Sequence, residues 1–421
     1  MIKNAKPKVG IISLGCPRNL VDSEIILGNL KNQGYQISDI QDADIAIVNT
    51  CCFIKEAKEE SIETILELAD LKAQGRIKKL IVSGCLPQRY RKELIPHLKE
   101  VDAFVGRLSL DNFPKERYNL VPKHFAYLKI SEGCNNHCSY CVIPKIKGKF
   151  RSRPIEDILK EIRLLDKNKV KEINIIGQDI TSYGMDIYKK PSLAKLLKKI
   201  VSSTKNVKWI RLLYTYPTNI DDELIELIAS NKKICKYLDL PIQHINNRIL
   251  KLMNRRISKE QIVDLIKRLR IKVPGIAIRT SLIVGFPSET EKEFQELLDF
   301  VSITKFERLG VFMYSREEGT PAYNFKNQIP QKVKEERLHK IMSMQQAIAR
   351  EINSKFLNKE IYVLIDEIGE EPGLFLGRTE SDAPEVDGMV YVHSKNKVKP
   401  GDLVKVKIKD TYEYDLVGEK I

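Results

Sequence analysis

The chain holds 421 residues, 43% hydrophobic and 7% aromatic, which suits two or three globular domains and leaves no apolar run long enough to span a bilayer. The first residues, MIKNAKPKVGIISL, are basic but carry no extended apolar core ahead of a small-residue cleavage site, so no secretory leader is expected. A formal charge of +15 points to an anionic partner such as RNA, while eight cysteines at metal-ligand spacings, not in a dense disulfide framework, point to a reducing compartment, by default the cytoplasm.

Residues 8–106 alternate short apolar runs, KVGIISL, DIAIVNT, KKLIVSG and DAFVG, with helical patterns at 19–33 and 56–74. That alternation predicts a small α/β domain with a mostly parallel sheet. Cys16, Cys51 and Cys85 each follow one of the first three runs. Open α/β sheets bind ligands beyond the carboxyl ends of their strands, so three thiols delivered there can converge despite their separation in sequence. Three unconnected buried cysteines are the bland alternative, because free Cys is among the most buried residue types. Cys52 follows Cys51 directly, and only one of the two can point into such a site. Cys235, in KKICKYLDL, reads as a core residue.

Residues 107–124 break the pattern with two prolines and several charges and read as a linker. A second alternation occupies 125–330, with strands FAYLKIS, EINIIG, WIRLLYT, YLDLPIQ, AIRTSLIVG and RLGVFMYS and helices at 155–166, 192–202, 221–230, 258–270 and 289–304. Six βα-type repeats predict a barrel or partial barrel of parallel strands. Cys134, Cys138 and Cys141 form C-x3-C-x2-C after the first strand, on the face where barrel enzymes place their chemistry. Three thiolates so close in sequence can hold three irons of a [4Fe–4S] cube and leave the fourth iron open to a small molecule. A structural zinc site with His137 as fourth ligand is the alternative, although zinc knuckles usually bring a second C-x2-C pair and none follows.

Residues 331–356 predict one long helix whose Ile341, Met344, Ile348 and Ile352 recur at helical spacing as a packing stripe. The last segment, 357–421, gives five short β patterns with Gly and Pro turns, as in a small closed barrel of OB-like type. It carries nine Lys and Arg against 14 Asp and Glu, a net of −5, so the remainder of the chain is net +20. An acidic module is a poor phosphate binder and suits a basic protein better.

These motifs resemble a known family. Tyr140 precedes Cys141 in the C-x3-C-x-Φ-C fingerprint of radical S-adenosylmethionine enzymes. SLGCPRNLVDSE (13–24), VNTCCFIKEAKEES (48–61), SGCLPQ (83–88), IVGFPSETEKEF (283–294) and YSREEGTPA (314–322) are similar to the methylthiotransferases, and the last segment resembles a TRAM domain. SLGCPRN, YLKISEGCNNHC, GQDITSYG, YLDLPIQH and GRTESDAPEVDGMVYV resemble the RimO-type branch. Cys52 stands where the family usually has a small residue, and Lys147 where it often has arginine.

The resemblance implies a fold of three parts: an N-terminal α/β domain, a partial (β/α)6-type barrel and a TRAM barrel. It also implies two [4Fe–4S] clusters. Cys134, Cys138 and Cys141 would hold the one that binds and cleaves S-adenosylmethionine. Cys16, Cys51 and Cys85 would hold a second, carrying sulfide or polysulfide. One S-adenosylmethionine would methylate that sulfur, and another would yield the radical that takes hydrogen from the substrate carbon. A cofactor must carry that step, since no side-chain acid or base can. Tyr140, Gly285, Phe286, Pro287, Gln178 and Gln243 are candidates for the cofactor pocket, with Asp179 and His244 beside them. An ordinary strand-to-helix turn capped by Ser288 and satisfied polar groups at a barrel rim are the alternatives for these positions. Lys149, Arg151 and Arg153 are candidates for placing substrate or electron donor, or form a solvated charge run. The implied substrate is the β-carbon of an aspartate in a basic small-subunit ribosomal protein, the twelfth. The alternative is an adenosine of transfer RNA. An electron donor such as flavodoxin or ferredoxin is implied, and no membrane.

Overall fold

Short Ile- and Val-rich runs separated by helical stretches bury both faces of a parallel sheet, and the chain builds two such sheets. The computed structural model describes residues 6–108, 110 and 117–421; positions 109 and 111–116 of the expected linker lie outside the described residues. In the first sheet, β1 (Lys8–Ser13), α1 (Pro17–Asn32), β2 (Gln36–Ile37), β3 (Ile45–Thr50), α2 (Lys55–Ala73), β4 (Lys79–Gly84), α3 (Cys85–His97) and β5 (Ala103–Val105) follow in order. The strands lie β2-β1-β3-β4-β5 and all pairs are parallel. Val48 and Val82 stand in register and pack against Ile65 and Leu68 of α2. The two-residue β2 at one edge carries no pattern that a sequence could reveal.

The second sheet uses β6 (Phe125–Lys129), β7 (Ser131–Glu132), α4 (Ile143–Lys147), β8 (Arg151–Ser152), α5 (Ile155–Lys167), β9 (Glu172–Ile176), α6 (Leu193–Ser202), β10 (Trp209–Leu212), α7 (Asp222–Ser230), β11 (Ile234–Asp239), α8 (Asn247–Leu252), α9 (Lys259–Lys272), β12 (Ala277–Val284), α10 (Glu291–Thr304) and β13 (Arg308–Met313). Its order is β13-β12-β11-β10-β9-β6, six parallel strands that remain open between β6 and β13. This is the expected partial barrel. Ile173, Ile175, Ile210, Leu212 and Leu282 face the helices and form the largest core. Thr290 caps α10 through a reciprocal bond pair with Glu293, so the helix starts two residues after the expected Ser288 cap. α11 (Gln331–Ser354) lies along β13 and covers that edge, with Ile341, Met344, Ile348 and Ile352 packed against the main core as the stripe predicted.

The C-terminal strands β14 (Glu360–Ile368), β15 (Leu374–Arg378), β16 (Val390–His393), β17 (Leu403–Thr411) and β18 (Leu416–Lys420) close into a small barrel ordered β14-β15-β16-β18-β17. Among the described residues no helix is long and apolar enough to cross a membrane.

The inner face of the open central barrel is completed by the other two parts. Val21 and Ile25 of α1 and Ala383 of the β15–β16 loop share a core with Phe125, Tyr127, Trp209 and Tyr237. The loop also brings charge. Fully buried Glu172 pairs with Arg211 and Arg378, each at 2.8 Å. Asp387 accepts from Tyr237 Oη at 2.7 Å and lies 3.3 Å from Arg279, and Asp382 pairs with Arg308. Two acids of the C-terminal module, Asp382 and Asp387, therefore complement arginines of its own chain.

Candidate active site

Strand ends set the first triad. β1, β3 and β4 run parallel and in register, so the turns that follow them lie side by side. Cys16 caps α1, Cys51 follows Thr50, and Cys85 opens α3. Asn19 ties the three turns together: its amide donates to Leu14 O (3.1 Å) and Thr50 O (2.9 Å), and its Oδ1 meets Cys85 Sγ at 3.6 Å. Asn49 in turn donates to Asn19 O at 2.7 Å. Gly15 sits at φ +86°, and a Cβ there would stand 2.9 Å from Cys51 Sγ, so only glycine leaves that thiol its space. Cys52 is wholly buried in the core that holds Ile65, Leu68, Val82 and Cys85.

The second triad sits in one loop. Cys134 N donates to Gly148 O, Cys141 N to Cys138 O and Ser139 N to Met253 O. Asn136 Nδ2 donates to Asp179 at 2.9 Å, and Asn254 Nδ2 to His137 O at 2.8 Å. Those bonds fix the loop from β9, α8 and its own flank. His137 is exposed and left-handed (φ 50°). Among the described residues no three His, Cys, Asp or Glu side chains gather closely enough to hold a single ion.

Electrostatics distinguish Cys16. Burial pushes the thiols of Cys134 to about 11 and of Cys85 and Cys141 to about 12. Burial acts on Cys16 too, but Arg18 beside it, the Asn19 backbone N–H and Lys147 together hold that thiol below its usual value. Arg18 Nε donates to Cys16 Sγ at 3.4 Å, one terminal nitrogen donates to Gly177 O at 3.3 Å, and the guanidinium stacks 4.4 Å from the Tyr214 ring. Arg255 repeats the arrangement at the other triad, 3.9 Å from Cys138 Sγ and stacked 4.1 Å from Tyr216. One short loop after β10 thus supplies both aromatic supports. Arg18, bonded both to Cys16 and to Gly177 O just after β9, ties the first triad to the carboxyl-end face of the barrel, the face that carries the second triad. Beneath it Lys129 and Lys147 share Asp22 and Glu132, a buried quartet with balanced charge.

Other predicted positions divide. Tyr140 lies beside Cys138, Cys141 and Arg255 and packs on the cluster formed by Phe286, Tyr314 and Ala322. Pro287 is buried next to Phe286. Gly285 is approached by the stem of Lys334 from α11, whose Cγ would stand 2.3 Å from an added Cβ. Gln178 Nε2 donates to Glu132 at 3.1 Å, while its Oε1 is buried without a partner among the described residues. Gln243 takes φ 71° and bridges β12 through its backbone. His244 is fully buried, and burial pushes its pKa down to about 3, so it is neutral. Arg153 is buried and pairs with Glu161 at 2.7 Å, which removes it from the expected solvated run; Lys149 and Arg151 are exposed.

Sequence reasoning missed Arg18, Asn19, Asp22, Glu132, Tyr214, Tyr216 and Arg255. A signal existed in α1, where Asn19, Asp22, Ser23 and Glu24 are all buried polar residues: a helix polar on several faces yet docked on two domains. The donor set fits the implied groups. All six cysteines are free, the Gly15 cradle preserves space at Cys51, and Ser131 Oγ and Gln178 Oε1 are buried and unpartnered beside the cleft.

Comparison with known proteins agrees with this geometry. Residues 8–106 match the model of an uncharacterised family, UPF0004; residues 128–301 match the radical SAM superfamily, and residues 359–421 the TRAM domain. The solved structure of the radical S-adenosylmethionine methyltransferase TsrM from Kitasatospora setae superposes with a TM-score of 0.54 at 14% identity, covering 75% of this chain and 74% of that one. The radical enzyme OxsB gives 0.53 at 13% identity, with coverages of 81% and 56%. Fold and site define a radical S-adenosylmethionine enzyme that transfers a sulfur-containing group, a class that works with a [4Fe–4S] cluster and S-adenosylmethionine. The protein named ribosomal protein uS12 methylthiotransferase RimO is 49% identical in Geobacter sulfurreducens, with 100% of both chains covered. Its namesakes in Acetivibrio thermocellus (48%, 99% of both) and Clostridioides difficile (47%, 98% of both) are equally full-length matches. The chain belongs to the RimO methylthiotransferase family.

Proposed function

We propose that this chain adds a methylthio group to the β-carbon of an aspartate in ribosomal protein uS12, in the cytoplasm. We assign Cys134, Cys138 and Cys141 to the cluster that binds S-adenosylmethionine, and Cys16, Cys51 and Cys85 to a second cluster bearing the sulfur. We take 1–106, 125–330 and 357–421 as the three working units, joined by 107–124 and 331–356. The observation that carries this reading is Arg18, bonded at once to Cys16 of the first triad and to Gly177 O at the barrel end that carries the second. When bound, the clusters and S-adenosylmethionine supply a radical able to take hydrogen from an unactivated C–H bond and a sulfur that carries a methyl group.

The chain's own residues hold and shape that chemistry. Arg255 donates to Cys138 Sγ, and Asn19 keeps the three N-terminal turns at a fixed spacing. Tyr140, Phe286 and Pro287 form an apolar wall for the cofactor, and Gln178 and Gln243 lie at the rim. The exposed Lys149 and Arg151, flanking the loop that bonds Cys134, suit an acidic electron carrier such as flavodoxin or ferredoxin.

Mass spectrometry of ribosomal proteins from a strain lacking this gene tests the reading. One uS12 aspartate should lose its methylthio group, and restoring the gene should return it. An unchanged uS12 together with methylthio-adenosine missing from transfer RNA would overturn it.

A further inference from the structure

We infer that Arg18 is the specificity residue that receives the substrate's carboxylate. The inference rests on the proposed aspartate substrate and deepens it. Among the described residues the neighbouring cations have their terminal donors engaged: Lys129 and Lys147 share Asp22 and Glu132, and Arg255 gives both terminal nitrogens to Cys138 Sγ and, at 2.5 Å, to Pro241 O, keeping only a buried Nε without a partner. Arg18 is different. It uses Nε on Cys16 and Nη1 on Gly177 O, and among the described residues no carboxylate lies within ion-pair distance of it and no partner is found for Nη2. Its plane is fixed by Tyr214 at 4.4 Å, so its remaining donors are preorganised. Ser131 Oγ, packed against Gly177, and Gln178 Oε1 are also buried and unpartnered, leaving polar atoms free for the rest of a bound side chain.

A substrate carbon that loses hydrogen on one side and gains sulfur on the other must lie between the triads, where Arg18 stands. A planar carboxylate matches the guanidinium fork, and the β-carbon is one bond from that carboxylate. Gripping the acid therefore aims the reacting C–H bond. An adenine offers no anion for this contact.

The test uses the full chain with both clusters loaded anaerobically and two peptides spanning the uS12 target loop, one with Asp and one with Asn at the target. Wild type should bind the Asp peptide about 10-fold or more tighter, the weight of one charge-assisted contact. Arg18→Gln should bring the two within about 2-fold. Arg18→Lys keeps the charge beside Cys16 while losing the fork, and should fall between. Iron content and the spectra of both clusters, read in parallel, separate a binding role from a structural one: variants that load both clusters yet keep the full Asp preference overturn the inference. Equal binding of both peptides by wild type overturns it alone. Wild type that binds neither peptide removes the ribosomal-protein reading and this inference with it.

Discussion

The two ends of the central barrel use charge in opposite ways. At the amino end Glu172, Arg211 and Arg378 form a dry, closed network, and Asp382 and Asp387 from the small barrel answer Arg308 and Arg279. At the carboxyl end Arg18 and Arg255 lie against cysteines, with unpartnered polar atoms nearby. Satisfied charge fixes a structure, while unsatisfied charge in a cleft waits for a ligand. Stability and chemistry are thereby separated along one set of strands, and substitutions at the two ends should have separable effects.

The largest expected effect is at the closed end. Glu172→Gln leaves Arg211 buried without its carboxylate and Arg378 with Asp366 alone, and should cost about 3–5 kcal/mol in urea unfolding. Burial works against ionised Glu172, but Arg378 and Arg211 prevail and hold its carboxyl below the usual value. Its contribution is therefore complete above about pH 4.3 and is lost as pH falls through the lower folded-state value, so the variant should show a flatter acid limb in a stability–pH profile. Iron bound per folded chain should not change.

Asn19→Ala should invert that outcome. Two carbonyls lose their donor, for about 1–3 kcal/mol, while iron in anaerobically loaded protein should drop from about eight toward about four per chain. Full iron with a large stability loss would erase the contrast between the ends. Tyr216→Leu removes the support under Arg255 and should cost about 0.5–2 kcal/mol in thermal unfolding. Lys405→Ala, at an exposed pair with Glu360 remote from both ends, should leave the urea midpoint where it is.

The six central strands were legible because parallel strands buried on both faces read as continuous apolar runs. The C-x3-C-x2-C loop was legible because its members are close in sequence, and the strand-then-cysteine repeat placed Cys16, Cys51 and Cys85. The partnership of Arg18 with Tyr214 was not, since the two meet only after α1 docks on the barrel. Nor was the role of TESDAPEVD (379–387): its acids resemble surface charge until the arginines beneath them are known. Cys51 was set apart from Cys52 by the resemblance, not by the residues alone, and packing then buries Cys52 fully in the α/β core.

The β15–β16 loop has a consequence for how this architecture can change. It is fitted into the wide barrel like a tenon, so replacing the small barrel with another module would leave buried Arg308 without its carboxylate and take one partner each from Arg211 and Arg279. Any exchange of this appendage must rewrite the floor at the same time, and lineages that swap one without the other should be rare.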